Sequence, residues 1–202
     1  MNTYTITKAD LNEKNEYVGK VDLSDYDGNI EADGALGRVA VGSICAKGYI
    51  CFKAGSGIEA GEDIEAGEGI KAGLDIRAGS GIKAGSGIKA GSGIEAGLGI
   101  EAGEGIKAGW GIRAGWGIEA GEGITCKWLS SKLRIFAGLA IWKTPSDNEM
   151  KILCEELRGG VVCFGELEIT KPEQPKTILI SCEGKDVEIS RESAIALNLI
   201  RN

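Results

Sequence analysis

The chain has no histidine at all among its 202 residues. That removes histidine acid–base catalysis, histidine metal sites and every nucleophile–histidine pair in one step. Proline is scarce, at 3 residues, and glycine follows no every-third-residue rule, so a collagen triple helix is excluded. No apolar run approaches the roughly 18 residues of a membrane span. Residues Met1–Asp10 hold no apolar stretch of the kind that leads a secretory signal, so the expected setting is the cytoplasm, with no membrane partner. Six cysteines stand at 45, 51, 126, 154, 163 and 182, none in a Cys-x-x-Cys spacing, which gives no support to a zinc ribbon or a dithiol redox site. In a reducing compartment they read as small buried hydrophobes.

Basic charge is also in deficit. The formal charge is −7, from 30 acidic and 23 basic residues. Residues 54–124 carry −5 of it, with 11 acids against 6 bases. Such a chain lacks the footprint that neutralises phosphates along a duplex, and nucleic acid is not an expected direct partner.

What is present in excess is glycine, 33 residues, and it is periodic. From Ala54 to Ile124 the chain repeats Ala-Gly-x-Gly-Ile-x, with isoleucine at every sixth position from 58 to 124. Of 24 unit glycines 22 are present, and Asp63 and Asp75 replace the other two. A helix would smear isoleucine around its whole surface at this period, and two glycines per unit would cost it about 1 kcal/mol each. In an extended segment, isoleucine and the alanine two residues later share one face and the charged residue between them takes the other. Ile-x-Ala therefore predicts a three-residue strand with an apolar inward face. Gly-x-Gly predicts a corner, on the expectation that glycine supplies positive φ there. The fold class expected is mainly β, a hexapeptide-repeat parallel β-solenoid.

The number of units per coil bears on which residues share a face. The outward series runs Glu59, Glu65, Lys71, Arg77, Lys83, Lys89, Glu95, Glu101, Lys107, Arg113, Glu119. With two units per coil, seven of nine stacked pairs are opposite in charge; with three, five of eight are, and Lys71, Lys89 and Lys107 stack. The count favours a flat two-sided coil, and a three-unit coil stays open.

Degenerate coils are expected on both flanks, from Ile30/Leu36, Ile44/Ile50 and Ile135/Ile141, each pair six apart. The expected organisation is an N-terminal cap over 1–29, a solenoid over 30–143 closed by 125–143, and a small α+β appendage over 144–202. In that appendage Glu149–Leu157 and Arg191–Ile200 read as short helices. Residues 160–169, 176–183 and 185–189 read as strands.

The variable corner position carries the functional expectation. It reads Ser56, Glu62, Glu68, Leu74, Ser80, Ser86, Ser92, Leu98, Glu104, Trp110, Trp116, Glu122. In a two-unit coil Leu74, Leu98 and Trp110 share one edge and Trp116 sits on the other. An apolar edge on a corner is costly unless it meets a partner protein, the terminal appendage or a sugar. Ice binding would need rows of threonine, which is nearly absent.

Other constellations are weaker. Gly55-Ser56-Gly57 and Gly79-Ser80-Gly81 lack the strand, long helix and Gly-Lys-Ser/Thr of a phosphate loop. Asp22, Asp25, Asp27, Glu31 and Asp33 read as a solvated loop, since the spacing of Gly28 does not fit a calcium loop. Carboxylates and amines alternate along a regular surface instead of converging. No catalytic residue, cofactor or metal ligand is nominated, and no enzyme is expected.

The six-residue period resembles the left-handed β-helices of hexapeptide acyltransferases, but the bulky corner residues and the missing catalytic histidine limit that likeness to the period. Over its whole length the chain is similar to AGxGI-repeat proteins of low-GC Gram-positive bacteria and their phages. The likeness is carried by Tyr26-Asp27-Gly28-Asn29-Ile30-Glu31, the repeat block, and Leu133-Arg134-Ile135-Phe136-Ala137-Gly138. It implies no catalytic residues. It implies a binding protein, most concretely an inhibitor of a host defence nuclease complex of the anti-CRISPR kind. Such an inhibitor would act by occlusion or by charge mimicry through Glu62, Glu68, Glu104 and Glu122, with Trp110, Trp116, Leu74 and Leu98 as apolar contacts. The alternatives are a self-assembling structural solenoid or a carbohydrate-binding surface protein; a homo-oligomer is compatible with each.

Overall fold

A computed structural model describes residues 1–170, 177–182 and 185–190. Two compact units divide between Thr170 and Lys171. The first is a parallel β-solenoid of about eight turns. In the second, Thr177–Cys182 and Lys185–Ser190 form an antiparallel pair. The expected helix Arg191–Ile200 lies outside the described residues. Among the described residues no helix is long and apolar enough to cross a membrane.

Each coil of the repeat block takes three units, not the two that the charge count favours. Ile64, Ile82, Ile100 and Ile118 stack in register, and so do Ile70, Ile88 and Ile106, and Ile58, Ile76, Ile94 and Ile112. The coil is therefore three-sided. The first face carries the strands Ser56–Ala60, Ile76–Ala78 and Ile94–Ala96. The second carries Ile64–Ala66, Ile82–Ala84 and Ile100–Ala102, and the third Ile70–Ala72, Ile88–Ala90 and Ile106–Ala108. Three isoleucines per coil converge on the axis, and all twelve of the block are at most 1% exposed. Each such burial stabilises by about 1.5–3 kcal/mol against an exposed side chain. Packing of the axis outweighs the exposed charge pairs, which are worth tenths of a kcal/mol.

The corners overturn the expected role of glycine. None of the repeat glycines from 57 to 123 has positive φ; among the described residues the positive-φ glycines are Gly37, Gly55, Gly138, Gly160 and Gly165. What the first glycine of each corner supplies is closeness. A Cβ on Gly79 would lie 2.0 Å from the Gly61 carbonyl oxygen one coil earlier, and on Gly115 1.8 Å from that of Gly97. Most second glycines are roomier, and a Cβ on Gly99 would meet the Gly117 oxygen at 3.6 Å; Gly111 is the exception, 2.0 Å from the Trp128 ring. Both departures from the repeat, Asp63 and Asp75, occupy second positions. Their carboxylates accept the N–H of the same corner one coil on, Asp63 from Gly81 at 2.7 Å and Asp75 from Gly93 at 3.0 Å.

The flanks continue the stack with irregular spacing. Asn2–Ile6 pairs in parallel with Gly28–Ala32, so residues expected only to cap the end wind a loose first turn. Val39, not Leu36, is the register mate of Ile58. The turn between Ile50 and Ile58 is longer than one unit, and buried Ser56 fills it. Its hydroxyl donates to the Asp33 carbonyl at 2.6 Å and accepts from Leu36 N–H at 3.0 Å.

Past Ile124, the long strand Trp128–Ala137 runs across the first and second faces. Ile135 keeps its place on Ile118, whereas Ile141, expected to follow it into the core, is 97% exposed. Ile152 takes the third-face position above Ile124 instead. The expected helix Glu149–Leu157 is not formed. A 3-10 turn Asp147–Met150 leads into the strands Lys151–Cys154 and Glu156–Phe164. The exposed backbone edge of the previous coil and the alternation of buried Ile152 and Cys154 select strand there. Glu166–Ile169 adds the next strand, so residues 151–169 belong to the solenoid stack.

Candidate functional site

A three-sided coil regroups the corner residues. Successive N–H to carbonyl bonds link Leu74, Ser92 and Trp110 along the edge before the first face. Glu62, Ser80, Leu98 and Trp116 are linked along the edge after it, and Glu68, Ser86, Glu104 and Glu122 along the edge between the second and third faces. The single apolar edge expected from a two-unit coil is thus replaced by two: Leu74 goes with Trp110, and Leu98 with Trp116. Glu62 stands apart from the other three glutamates.

The two apolar edges bracket one face. Trp110 and Trp116 end the same strand segment, about 20 Å apart at full extension. They are 56% and 58% exposed, and Leu98 is 38% exposed; Leu74 is half-buried. The Lys127 ammonium lies 4.7 Å from the Trp110 ring centroid, a cation–π contact that steadies the ring.

Between the two edges the outward residues alternate in sign: Glu59, Arg77, Glu95, Arg113. Arg38 reaches both Glu59 at 3.4 Å and Asp75 at 2.8 Å, and Arg113 reaches Glu95 at 3.1 Å. Burial works against ionisation of Asp75 and is its largest single influence. The Gly93 N–H and the guanidinium groups of Arg38 and Arg77 together outweigh it and hold the carboxyl below its ordinary value. A shallow cavity of about 790 Å³ lies over Glu59, Arg77, Glu95, Arg113, Ser130 and Lys132. The face is a charge-balanced strip between two aromatic rails.

The glutamate edge is less free than its sequence suggests. Glu122 and Glu149 both grip the Lys143 ammonium, at 2.5 and 2.7 Å. The Lys143 contact and the Ser146 N–H and hydroxyl pull the Glu149 carboxyl down to about 2. Trp142, 58% exposed, lies beside the Gly103 and Gly121 corners of this edge. Sequence reasoning misses it because the six-residue spacing coils the segment inward with Ile141.

The cysteines divide. Cys126 and Cys154 are buried, and burial pushes the Cys126 thiol up to about 12 and raises that of Cys154. Cys45 and Cys51 are not buried hydrophobes. They occupy the outward position of their strands and are half-buried, and Cys163 is exposed. Burial first, then the Glu65 and Asp25 charges, raises the Cys45 thiol. The Asp22–Asp33 acids disperse onto lysines, Asp27 to Lys47 and Glu31 and Asp33 to Lys53. Among the described residues no group of three or more His, Cys, Asp or Glu gathers to hold a metal.

Compared with protein-family models, curated proteins and solved structures, the chain matches none.

Proposed function

We propose that the chain is a non-enzymatic binding protein that presents the first face and its two aromatic edges to a partner protein. The carrying observation is the pair Trp110 and Trp116, more than half exposed at the two ends of one strand on a rigid, hydrogen-bonded scaffold. Exposed tryptophans on a scaffold that cannot rearrange lose little entropy on docking and are the residue type most enriched at binding hot spots. The most concrete version is an inhibitor of a defence nuclease complex, which the likeness to AGxGI-repeat phage proteins supports. Occlusion suits the geometry better than charge mimicry, because Glu122 is tied to Lys143 and Glu62 is separated from Glu68 and Glu104.

The test is capture from a host lysate, identification of the partner, and reconstitution with purified components. Trp110→Ala with Trp116→Ala should weaken the reconstituted complex at least tenfold with an unchanged circular-dichroism spectrum. Equal affinity of the double variant would refute the reading.

A second reading, end-to-end assembly of solenoids, draws on the last described turn. There Val161, Phe164 and Ile169 are 64%, 45% and 48% exposed, on strands that end the stack among the described residues. It predicts a mass that grows with protein concentration in size-exclusion chromatography with light scattering.

A further inference from the structure

The third face departs from the charge pattern of the other two. Its outward residues stack as Cys51, Lys71, Lys89, Lys107 and Thr125. Neighbouring strands lie about 4.8 Å apart, so three ammonium-bearing side chains rise from one column within about 10 Å. Like charges directly in register repel and cost stability. On the first face the sequence avoids this by strict alternation; on the second Lys83 pairs with Glu101 at 3.2 Å, and the one like pair in register is Glu101 with Glu119. Lys71, Lys89 and Lys107 are exposed, and among the described residues none has a carboxylate oxygen within 4.0 Å.

The column is also closed at its ends. At one end Glu31 accepts a hydrogen bond from the Tyr49 hydroxyl at 2.8 Å and pairs with Lys53 at 3.7 Å. At the other, Glu122 and Glu149 hold Lys143, and Lys151 is tied to Glu168 at 3.0 Å. A groove of about 660 Å³ follows the lysine column between these ion-paired ends.

We propose that this groove binds a compact multivalent anion of the oligophosphate class. Three uncompensated ammoniums within about 10 Å match a ligand with several negative charges in a short chain. The net charge of −7 works against a long polyanion that would run past the column. The column uses lysine alone, while the arginines of the repeat block, Arg77 and Arg113, stand on the first face. Lysine is a point charge with rotatable donors that can meet phosphate oxygens without the fixed fork of arginine. Lys107 is followed in the column by Thr125, whose hydroxyl adds a neutral donor. This proposal concerns a different face from the protein-binding reading and does not depend on it.

The experiment is titration calorimetry and thermal denaturation of the full chain at low ionic strength. The probes are sodium tripolyphosphate, orthophosphate, and a short single-stranded oligonucleotide of mixed sequence. Lys89→Glu and Lys89→Gln are compared with Lys83→Glu on the second face as a control. Tripolyphosphate should bind and raise Tm by several degrees, with orthophosphate at equal ionic strength doing far less. Lys89→Glu should lose binding at least tenfold while its own ligand-free Tm rises, because the column would then alternate in charge. Lys89→Gln should show the same two effects to a smaller degree, and Lys83→Glu should bind as the unaltered chain does. Four outcomes would overturn the proposal: no Tm shift with tripolyphosphate, the same shift in Lys89→Glu, an equal response to orthophosphate, or tighter binding of the oligonucleotide.

Discussion

Glycine and aspartate at the corners show how single residues set this fold. From Gly67 to Gly121 a Cβ on the first glycine of each corner would lie 1.8–2.6 Å from a carbonyl oxygen of the preceding coil, whereas most second glycines leave about 3 Å or more. Gly85→Ala would bring a Cβ to 2.0 Å from the Gly67 oxygen, which is backbone and has nowhere to go. It should cost about 1–3 kcal/mol or more. Gly99→Ala meets its nearest atom at 3.6 Å with no positive φ, and should be neutral or stabilise by about 0.4–1 kcal/mol through the unfolded chain. Denaturant unfolding of the two variants measures the contrast. Asp75 adds a pH signature. Its carboxyl is held below the ordinary value, so its contribution is complete above the unfolded aspartate pKa of about 3.9 and disappears as pH falls through the lower folded value. The Tm gap between the unaltered chain and Asp75→Ala should be full at pH 6 and close in strongly acidic buffer. A gap that stays constant to pH 2 would contradict the assignment.

Among the elements, the strand Ile-x-Ala is fully legible in the sequence. A three-residue strand at every unit from Ile64–Ala66 to Ile106–Ala108, with isoleucine and alanine inside, follows from period-two alternation alone. Strands at Thr177–Cys182 and Lys185–Ser190 are legible from their β-branched runs between Pro- and Gly-containing turns. The segment Glu149–Leu157 is not. Its helical reading weighs local propensity, and the stacked coil supplies a ready parallel edge that propensity does not contain. The same blindness hides Trp142, because spacing from Ile135 to Ile141 cannot reveal that the chain leaves the stack after Ala137. The corner residues are legible as candidates by type. Their grouping into edges is not, since it depends on how many corners a coil has.

At the scale of the whole molecule, that number of corners decides everything a partner would meet. Counting charge pairs points to two units per coil because it assumes that stacked charges must oppose. The third face breaks the assumption with three lysines in register, and the interior overrides it, since three isoleucines per coil fill the axis. No local pattern in the hexads reports this, because every hexad looks the same whether two or three close a turn. Leu98 joins Trp116 on one edge, apart from Leu74 and Trp110, only in a three-sided coil. The lysine column exists only there as well.

The most direct test is therefore a disulfide across one coil. In a background with Cys45, Cys51, Cys163 and Cys182 replaced by serine, Lys83→Cys with Glu101→Cys puts two thiols three units apart in sequence and in register on stacked strands. At about 4.8 Å between strands they lie within the Cα separation that a disulfide spans. Lys83→Cys with Glu95→Cys, only two units apart, puts them on different faces. Mild oxidation of the folded chain should link the first pair quantitatively and leave the second reduced; linkage of the second pair and not the first would contradict the three-sided coil and the surfaces built on it.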